Sequence, residues 1–310
     1  MMNTANPQSG TRRDFLKATA LATATIAAPA ILPGKLFAAD NQPTLRIGLI
    51  GCGGRGTGAM SNALRADANV ELVAMGDAFP DQIEKSLKAL RSEADLAPKV
   101  KVAQEQCFTG FDAYQKVIDS GVDVVLLTSP PGFRPQHLKA AVAAGKHIFA
   151  EKPMAVDATG VRSVMASAEA AKQKKLSIVA GFCYRYNHGV RALMEQIHHG
   201  AIGEVRAIHT AYNTGGLWSK PRQPGWTDME WQLRNWLYFT WLSGDHITEQ
   251  AVDNLDKMSW MMKDVPPERC MAVGGRQART ASEYGHIFDH FGVVYEYPNG
   301  VRAFHFCRQQ

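Results

Sequence analysis

Two short, well-separated segments of this chain hold residue types whose spacing suggests chemistry, and the first of them is rich in glycine. It follows the apolar run Leu45–Ile50 and places Gly51, Gly53 and Gly56 in a G-x-G-x-x-G spacing. The first glycine permits a tight turn, the second lets the backbone approach a phosphate, and the third lets a helix pack closely on the strand. Because free amides at a helix N-terminus attract anions, the segment predicts a strand, turn and helix that bind a pyrophosphate.

The second segment, Glu151-Lys152-Pro153, directly follows a predicted strand over His147–Ala150. Ligands of parallel α/β sheets bind at the carboxyl ends of the strands, which is where Lys152 would lie. An ammonium group there can polarise a reacting oxygen or stabilise a developing alkoxide. The alternative is a surface lysine before a loop proline. We expect Lys152 to lie at a reacting centre, beside the nicotinamide of a dinucleotide.

An acidic residue, Asp77, ends the second predicted strand. A carboxylate at this place accepts hydrogen bonds from the ribose hydroxyls of the adenosine half and repels a 2′-phosphate. The sequence therefore favours NAD over NADP as the cofactor. The alternative interpretation is a glycine-rich loop in an unrelated α/β domain.

Strands and helices alternate up to about residue 184, which is typical of a doubly wound parallel sheet. The second half is different, because it contains a long irregular stretch with most of the tryptophans and ends in a hairpin around Asn299-Gly300. A single helix is predicted over residues 247–262. Since a hairpin with an open edge is a poor end for a domain, we expect further strands after residue 310.

The first residues read as an export signal and not as part of the fold. Arg12 and Arg13 form a twin-arginine signature, and an alanine-rich apolar stretch follows that is short for a membrane span. Small residues at 28 and 30, or at 38 and 39, offer cleavage points; the alternative is a permanent anchor. We therefore predict a signal over residues 1–39, a dinucleotide-binding domain over 40–184, a substrate and oligomerisation domain over 185–310, and a periplasmic location.

Charge and cysteine content exclude other classes of protein. The formal net charge is +5, part of it in the export signal, and no run of Lys or Arg remains that would indicate nucleic acid binding. The five cysteines are scattered without a C-x-x-C spacing, so neither a zinc site nor a disulfide framework is expected. We predict no metal.

From about Leu45 to its last residue, the chain resembles the Gfo/Idh/MocA family of oxidoreductases. Two further motifs resemble exported members, namely Phe133-Arg134-Pro135-x-His137 and Gly244-Asp245-His246 with Glu249. The main resemblance rests on residues 51–56, Thr128-Ser129-Pro130-Pro131 with His137, Ala144-Gly145-Lys146-His147, Glu151-Lys152-Pro153, Arg185-Tyr186 and Gly200-x-Ile202-Gly203-Glu204-Val205.

The resemblance implies a Rossmann domain followed by an α/β domain with a large open, mainly antiparallel sheet, which often forms an oligomer interface. It implies an NAD-dependent oxidoreductase that acts on a carbohydrate or cyclic polyol, with the bond before Pro153 in the cis form. The implied cofactor residues are Gly51, Gly53, Gly54, Arg55, Gly56, Asp77, Thr128, Ser129, Pro130, His137, Glu151, Lys152 and Pro153. The candidate substrate residues are Arg185, Tyr186, Trp218, Trp226 and Trp236.

The second catalytic group departs from the family pattern. Family members carry an acidic residue, a histidine and an aspartate on one helical face, whereas this chain has Glu249, Asp253 and Asp256 at those positions. A free aspartate has a pKa of about 4 and is a weaker base than imidazole at neutral pH. Asp253 therefore acts as a substitute base, or His246 acts one turn before Glu249, or this copy is impaired.

Two questions stay open at the level of sequence. The tryptophan-rich stretch forms either sugar-stacking surfaces or ordinary packing. Two rival functions also remain beside hydride transfer: an NAD-dependent glycosidase that oxidises the sugar transiently and eliminates, and a non-catalytic sugar- or nucleotide-binding protein.

Export provides a direct test of the signal. Replacing Arg12 and Arg13 with lysine should retain the protein in the cytoplasm, because the twin-arginine pair is recognised as an address and not as charge. Cell fractionation followed by immunoblotting measures the distribution, and an unchanged periplasmic yield would show that another export route operates.

Overall fold

The computed structural model describes residues 43–310, so the predicted signal and its cleavage points lie outside the described residues. The strands are β1 Leu45–Ile50, β2 Val70–Asp77, β3 Cys107–Thr109, β4 Val124–Leu127, β5 His147–Ala150, β6 Ile178–Ala180, β7 Ala207–Thr214, β8 Arg269–Gly275, β9 His290–Glu296 and β10 Arg302–Gln309. The helices are α1 Gly54–Ala66, α2 Pro80–Ser92, α3 Ala113–Asp119, α4 Arg134–Ala143, α5 Ala158–Gln173, α6 His188–His198, α7 Asp228–Arg234, α8 Thr240–Ser243, α9 Asp245–Glu249 and α10 Val252–Met261.

The first sheet has six parallel strands in the order β3-β2-β1-β4-β5-β6. Successive residues of β1 face opposite sides, so Leu49 packs into one buried cluster and Ile50 into another. Both clusters are apolar because helices cover both faces. The prediction of a doubly wound Rossmann sheet is confirmed. None of the helices in residues 43–310 is long and apolar enough to cross a membrane.

The second sheet is mixed, in the order β7-β10-β9-β8. β10 pairs with β9 in the predicted hairpin and runs parallel to β7 on its other side. At the hairpin turn, Gly300 has a φ of 78°, and the Asn299 side chain accepts a hydrogen bond from the Val301 amide at 3.2 Å. Strand β8 was not predicted, because nearly all of its residues are exposed and its sequence lacks an alternating apolar pattern.

The expectation of one continuous helix over residues 247–262 is wrong. The chain forms α9 and α10 instead, and the break falls at Gln250 and Ala251. The Ala251 amide donates to the His246 carbonyl, five residues earlier, at 3.0 Å, which widens the turn. As a result, Glu249 ends one helix and Asp253 lies in the first turn of the next.

A group of buried polar side chains lies between α9 and the second sheet. His246 and His305 are almost fully buried, and the His246 ring packs 5.1 Å from Phe291 of β9. Among the described residues, neither ring nitrogen of His246 has a hydrogen-bond partner. Burial, with the nearby Arg279 cation, lowers the pKa of His246 to about 4. Burial likewise lowers the pKa of His305 to about 4.

These histidines should make folding sensitive to acid. Their pKa values lie below that of an unfolded histidine, so the unfolded chain takes up protons first, and stability is lost as the pH falls from about 6.5 to about 4. Burial raises the pKa of Asp245 to about 6, and this neighbour opposes the effect over part of that range. His290 and Asp289 also face the group.

Between pH 7 and pH 4.5, we expect the His246→Leu variant to lose roughly 1–3 kcal/mol less unfolding free energy than the parent chain. Urea denaturation at a series of pH values measures it. An acid sensitivity identical to that of the parent chain would contradict the assignment of the titration to His246.

Candidate active site

The glycine turn lies where the sequence predicted it, at the carboxyl end of β1. Gly51 has a φ of 96°, and a side chain there would meet the backbone of Ser129 at 2.4 Å. A Cβ on Gly56 would lie 1.9 Å from the Gly51 carbonyl oxygen, so the first turn of α1 can approach the strand only without one. The Thr128 hydroxyl donates to the Gly51 carbonyl at 2.6 Å and fixes the turn.

The amides that follow this turn are available to an anion. α1 begins at Gly54, and no described side chain caps its N-terminus. A Cβ on Gly53 or Gly54 would meet nothing within 4 Å, so this stretch of backbone is open toward a cleft of ≈ 480 Å³. Uncapped helix amides bordering an open cleft suit a pyrophosphate.

Asp77 lines the same cleft, beside the glycine turn. Its carboxylate accepts hydrogen bonds from the amides of Cys52 at 2.6 Å and of Phe79 at 3.0 Å, which fixes its orientation. Burial raises its pKa, while the bonds from Cys52 and Phe79 act in the opposite direction. The carboxylate keeps lone pairs for ribose hydroxyls. The residues present therefore fit a dinucleotide.

His137 lines the cleft as a neutral ring. It stacks on Tyr114 at 4.2 Å, and Nδ1 lies 3.0 Å from the Ser129 hydroxyl. Burial lowers its pKa to about 3, and the neighbouring Arg134 cation adds to this. An uncharged aromatic ring against the loop of Ser129 and Pro130 gives this side of the cleft an apolar wall.

Arg134 is the residue of this region whose role sequence reasoning missed. It is 1% exposed and donates to three carbonyls: Leu127 at 2.6 Å, Ser129 at 2.9 Å and Pro153 at 2.9 Å. Burial lowers its pKa to about 10, against the opposing charges of Glu151 and Glu249. The signal in the sequence was its place in the Phe-Arg-Pro motif, one residue after the Thr-Ser-Pro-Pro loop.

Lys152 occupies the carboxyl end of β5, and its bond to Pro153 is cis. Its ammonium donates to the backbone carbonyl of Glu249 and lies 3.5 Å from the Glu249 carboxylate. The Asp253 carboxylate is 3.6 Å away on the same ammonium. Glu151, the preceding residue, forms an ion pair with Arg55 of α1. The lysine and two of the predicted acidic residues thus meet in space.

Asp256, the third acidic residue of the motif, faces elsewhere. It receives hydrogen bonds from Arg185 at 2.8–3.1 Å, and the same guanidinium pairs with Asp264 and lies 5.1 Å above the Trp260 ring. Within residues 43–310, no group of three or more His, Cys, Asp or Glu side chains is placed to hold a metal ion.

The other predicted site residues are dispersed. His246 faces the second sheet, not the Lys152 ammonium, because its ring packs on Phe291. Trp218 and Trp236 line the dinucleotide cleft, whereas Trp226 packs 5.1 Å from the Arg234 guanidinium. Tyr186 is 59% exposed, directly after Arg185. These positions do not test the predicted substrate roles, which stay predictions.

Part of the chain matches the sequence model of a known protein family. Residues 45–181 match the sequence model of Gfo/Idh/MocA proteins, which is described as an oxidoreductase family with an NAD-binding Rossmann fold. The matched segment contains the glycine turn, Asp77, the Arg134 site and Lys152. An NAD-binding first domain agrees with the fit found in the cleft.

Curated relatives and solved structures point the same way. The chain is 29% identical over 221 residues to an inositol 2-dehydrogenase of Pseudomonas fluorescens, a match that covers 71% of this chain and 55% of the relative. It is 28% identical over 259 residues to an inositol 2-dehydrogenase of Burkholderia cenocepacia, covering 84% of this chain and 66% of the relative. The chain therefore spans less than two thirds of the length of either relative.

Among solved structures, the fold is similar to scyllo-inositol dehydrogenase from Lactobacillus casei with bound cofactor NAD(H) and scyllo-inositol. The TM-score is 0.64 at 18% identity, over 86% of this chain and 70% of that one. A likeness at this identity supports the fold alone.

The Arg134 contacts generate a stability prediction. Arg134→Leu should lower the free energy of unfolding by about 3 kcal/mol or more, because three backbone carbonyls lose the guanidinium donor at once, and two of these bonds are buried. Arg134→Lys should recover only part of it, since an ammonium cannot span three separate carbonyls. Arg46→Leu is the matched control: its partner Asp123 is partly exposed, and such pairs contribute up to about 1 kcal/mol. Urea denaturation measures all three, and equal losses for Arg134→Leu and Arg46→Leu would contradict the role given to Arg134.

Proposed function

We propose that this chain, a member of the Gfo/Idh/MocA oxidoreductase family, transfers hydride between NAD and a ring carbon of a carbohydrate or cyclic polyol. The observation that carries the proposal is the Lys152 ammonium, which lies within 3.6 Å of the Glu249 and Asp253 carboxylates, just after the end of strand β5 of the NAD-binding sheet. The names of the relatives, inositol 2-dehydrogenases, support a polyol as the first substrate to test.

Bound NAD supplies the hydride acceptor, and the protein must place the substrate carbon and manage the hydroxyl proton. Lys152 holds one positive charge where the substrate oxygen gains negative charge as its proton leaves. Its anchoring to the Glu249 carbonyl fixes the ammonium before substrate arrives, so no rearrangement is needed during the reaction.

Asp253 is the candidate for accepting that proton. Its carboxylate lies 3.6 Å from the Lys152 ammonium and is mostly buried, so a hydroxyl bound to the ammonium would lie within its reach. Glu249 is held differently, because the Gln250 side chain also donates to its carboxylate. The geometry therefore favours Asp253 as the base and Glu249 as the residue that positions the lysine.

The test of the function is a reaction balance on the full chain with NAD, using myo-inositol, other polyols and a panel of aryl glycosides. Accumulation of NADH with loss of the polyol supports the dehydrogenase proposal. Release of aglycone without net NADH would replace it by the glycosidase alternative. Binding of sugar with neither product would identify a non-catalytic protein.

Lys152 and Asp253 give the sharpest catalytic prediction. Lys152→Ala should lower turnover by about a hundredfold or more with nearly unchanged NAD affinity, because the lost donor contributes on the order of 3 kcal/mol or more in the transition state. Lys146→Ala, just before the amino end of the same strand, is the matched control and should keep its activity. Steady-state kinetics and NAD titration measure both.

Asp253→His should raise the rate at neutral pH, because imidazole has a pKa of about 6.5 and accepts a proton more readily there. The measurement is the rate against pH for the parent and the variant, with circular dichroism as the check on folding. A folded variant that is no faster at any pH would refute the assignment of the base to Asp253.

We further propose that Asp77 selects NAD over NADP by repelling a 2′-phosphate. Asp77→Asn should narrow the difference in affinity, because it removes the charge but keeps an acceptor for the Cys52 amide. Asp77→Ala should also narrow the difference in affinity, and it should weaken the binding of both dinucleotides, since the Cys52 amide loses its partner. Calorimetric titration decides the point, and tighter binding of NADP by the parent chain would overturn the assignment.

Self-association is proposed through the open face of the second sheet. Met271, Val273 and Phe306 are 71%, 73% and 46% exposed, and Val273 and Phe306 both neighbour Gly292 across the strands. An apolar face of this kind is typical of a protein–protein contact. We propose that a second copy of this chain covers the apolar face.

We also propose that the protein reaches the periplasm by the twin-arginine route. This route carries folded proteins and would allow NAD to bind before export.

A further inference from the structure

The cleft beside Asp77 has a second wall that comes from the other half of the chain. The cleft that contains the glycine turn is also lined by Trp218, Lys220, Arg234 and Trp236. These residues belong to a segment, 215–238, that we call the strap. Among the described residues, the lining of this cleft does not include Lys152, Glu249 or Asp253. The strap therefore serves a different part of the site from the reacting groups.

The strap is fixed to the end of β2 through Arg234. The Arg234 guanidinium donates to the Asp81 carboxylate at 3.0 Å and lies 3.9 Å above the Phe79 ring. Burial would raise the pKa of Asp81, but the bonds from Arg234 and Lys85 lower it to about 2. Phe79 and Asp81 lie two and four residues after Asp77, so the strap lies at the adenosine end of the dinucleotide site.

The strap is also held in shape by its own hydrogen bonds. The buried Asn235 side chain accepts from the Lys220 amide at 2.9 Å and donates to the Glu283 carbonyl at 2.6 Å. The Tyr238 hydroxyl donates to the Leu217 carbonyl at 3.0 Å. These bonds flank Trp218 on both sides in sequence, so its indole is positioned before any ligand binds.

Trp218 nevertheless remains 45% exposed at the wall of the cleft. Its ring makes edge contacts with Trp236 at 6.2 Å and Tyr238 at 6.4 Å. The Lys220 ammonium lies 5.4 Å from the same ring, and its pKa is lowered by burial and by Arg234 while Asp77 acts in the opposite direction. An exposed indole beside a cation and a ribose-binding carboxylate matches the parts of an adenine nucleotide.

We propose that Trp218 and Trp236, with Lys220, bind the adenosine half of NAD and so clamp the cofactor between the two halves of the chain. The inference rests on the proposed function, since it requires a dinucleotide in this cleft. It replaces both earlier interpretations of these two tryptophans, sugar stacking and plain packing. A stacked base contributes about 5- to 100-fold to affinity, which sets the expected effect.

The experiment is isothermal titration of the full-length apo-protein with NAD, ADP-ribose and nicotinamide mononucleotide. Trp218→Ala should weaken the binding of NAD and ADP-ribose about 5- to 100-fold and leave the affinity for the mononucleotide unchanged. Trp218→Phe should keep most of the affinity, because it keeps an aromatic face. Trp260→Ala, whose ring packs on Arg185, is the matched control and should bind all three ligands as the parent does.

The outcomes separate the two proposals. A parent chain that binds NAD and ADP-ribose, with a Trp218→Ala variant that binds them equally well, overturns the clamp and leaves the proposed function intact. A variant with unchanged ADP-ribose affinity but a raised KM for polyol overturns it in favour of a substrate wall. A parent chain that binds neither dinucleotide nor ADP-ribose overturns the proposed function together with the clamp.

Discussion

One buried guanidinium holds the reacting end of the first sheet together. A charge removed from water is costly unless its hydrogen-bonding capacity is satisfied, and Arg134 meets that condition with three backbone carbonyls. Those carbonyls belong to the end of β4, to the loop after it, and to Pro153. The two loops therefore cannot move apart without leaving the charge unpaired. The position of Lys152, one residue before Pro153, is a consequence of this constraint.

The two halves of the chain contact each other at both ends of the proposed cofactor site. At the reacting end, Lys152 contacts Glu249 and Asp253. At the adenosine end, Arg234 contacts Phe79 and Asp81. Under the proposed function, a bound dinucleotide would meet side chains from both halves of the chain at each of its ends.

Much of this could be predicted from the sequence because the signals are local. The glycine turn, Asp77 and the strand before Lys152 each follow from residue types within one strand–turn unit. The break between α9 and α10 could not, because it depends on a wide turn around the buried Ala251. The roles of Arg134 and the strap could not be predicted for the same reason. Tertiary packing brings their partners near, and no local spacing encodes it. Strand β8 was missed because its exposure removes the alternating pattern.

The order of the segments along the chain has a consequence during synthesis. Every residue of the first sheet, together with the glycine turn, Asp77 and Arg134, precedes the strap in sequence. Domains fold largely as units while the chain emerges from the ribosome, N-terminal part first. A half-finished chain can therefore present an open nucleotide cleft while the strap is still being translated. Trp218 and Arg234, which line the cleft in the complete chain, are added later. If they clamp the cofactor as proposed, a dinucleotide captured by the nascent chain would be enclosed by the chain's own later residues.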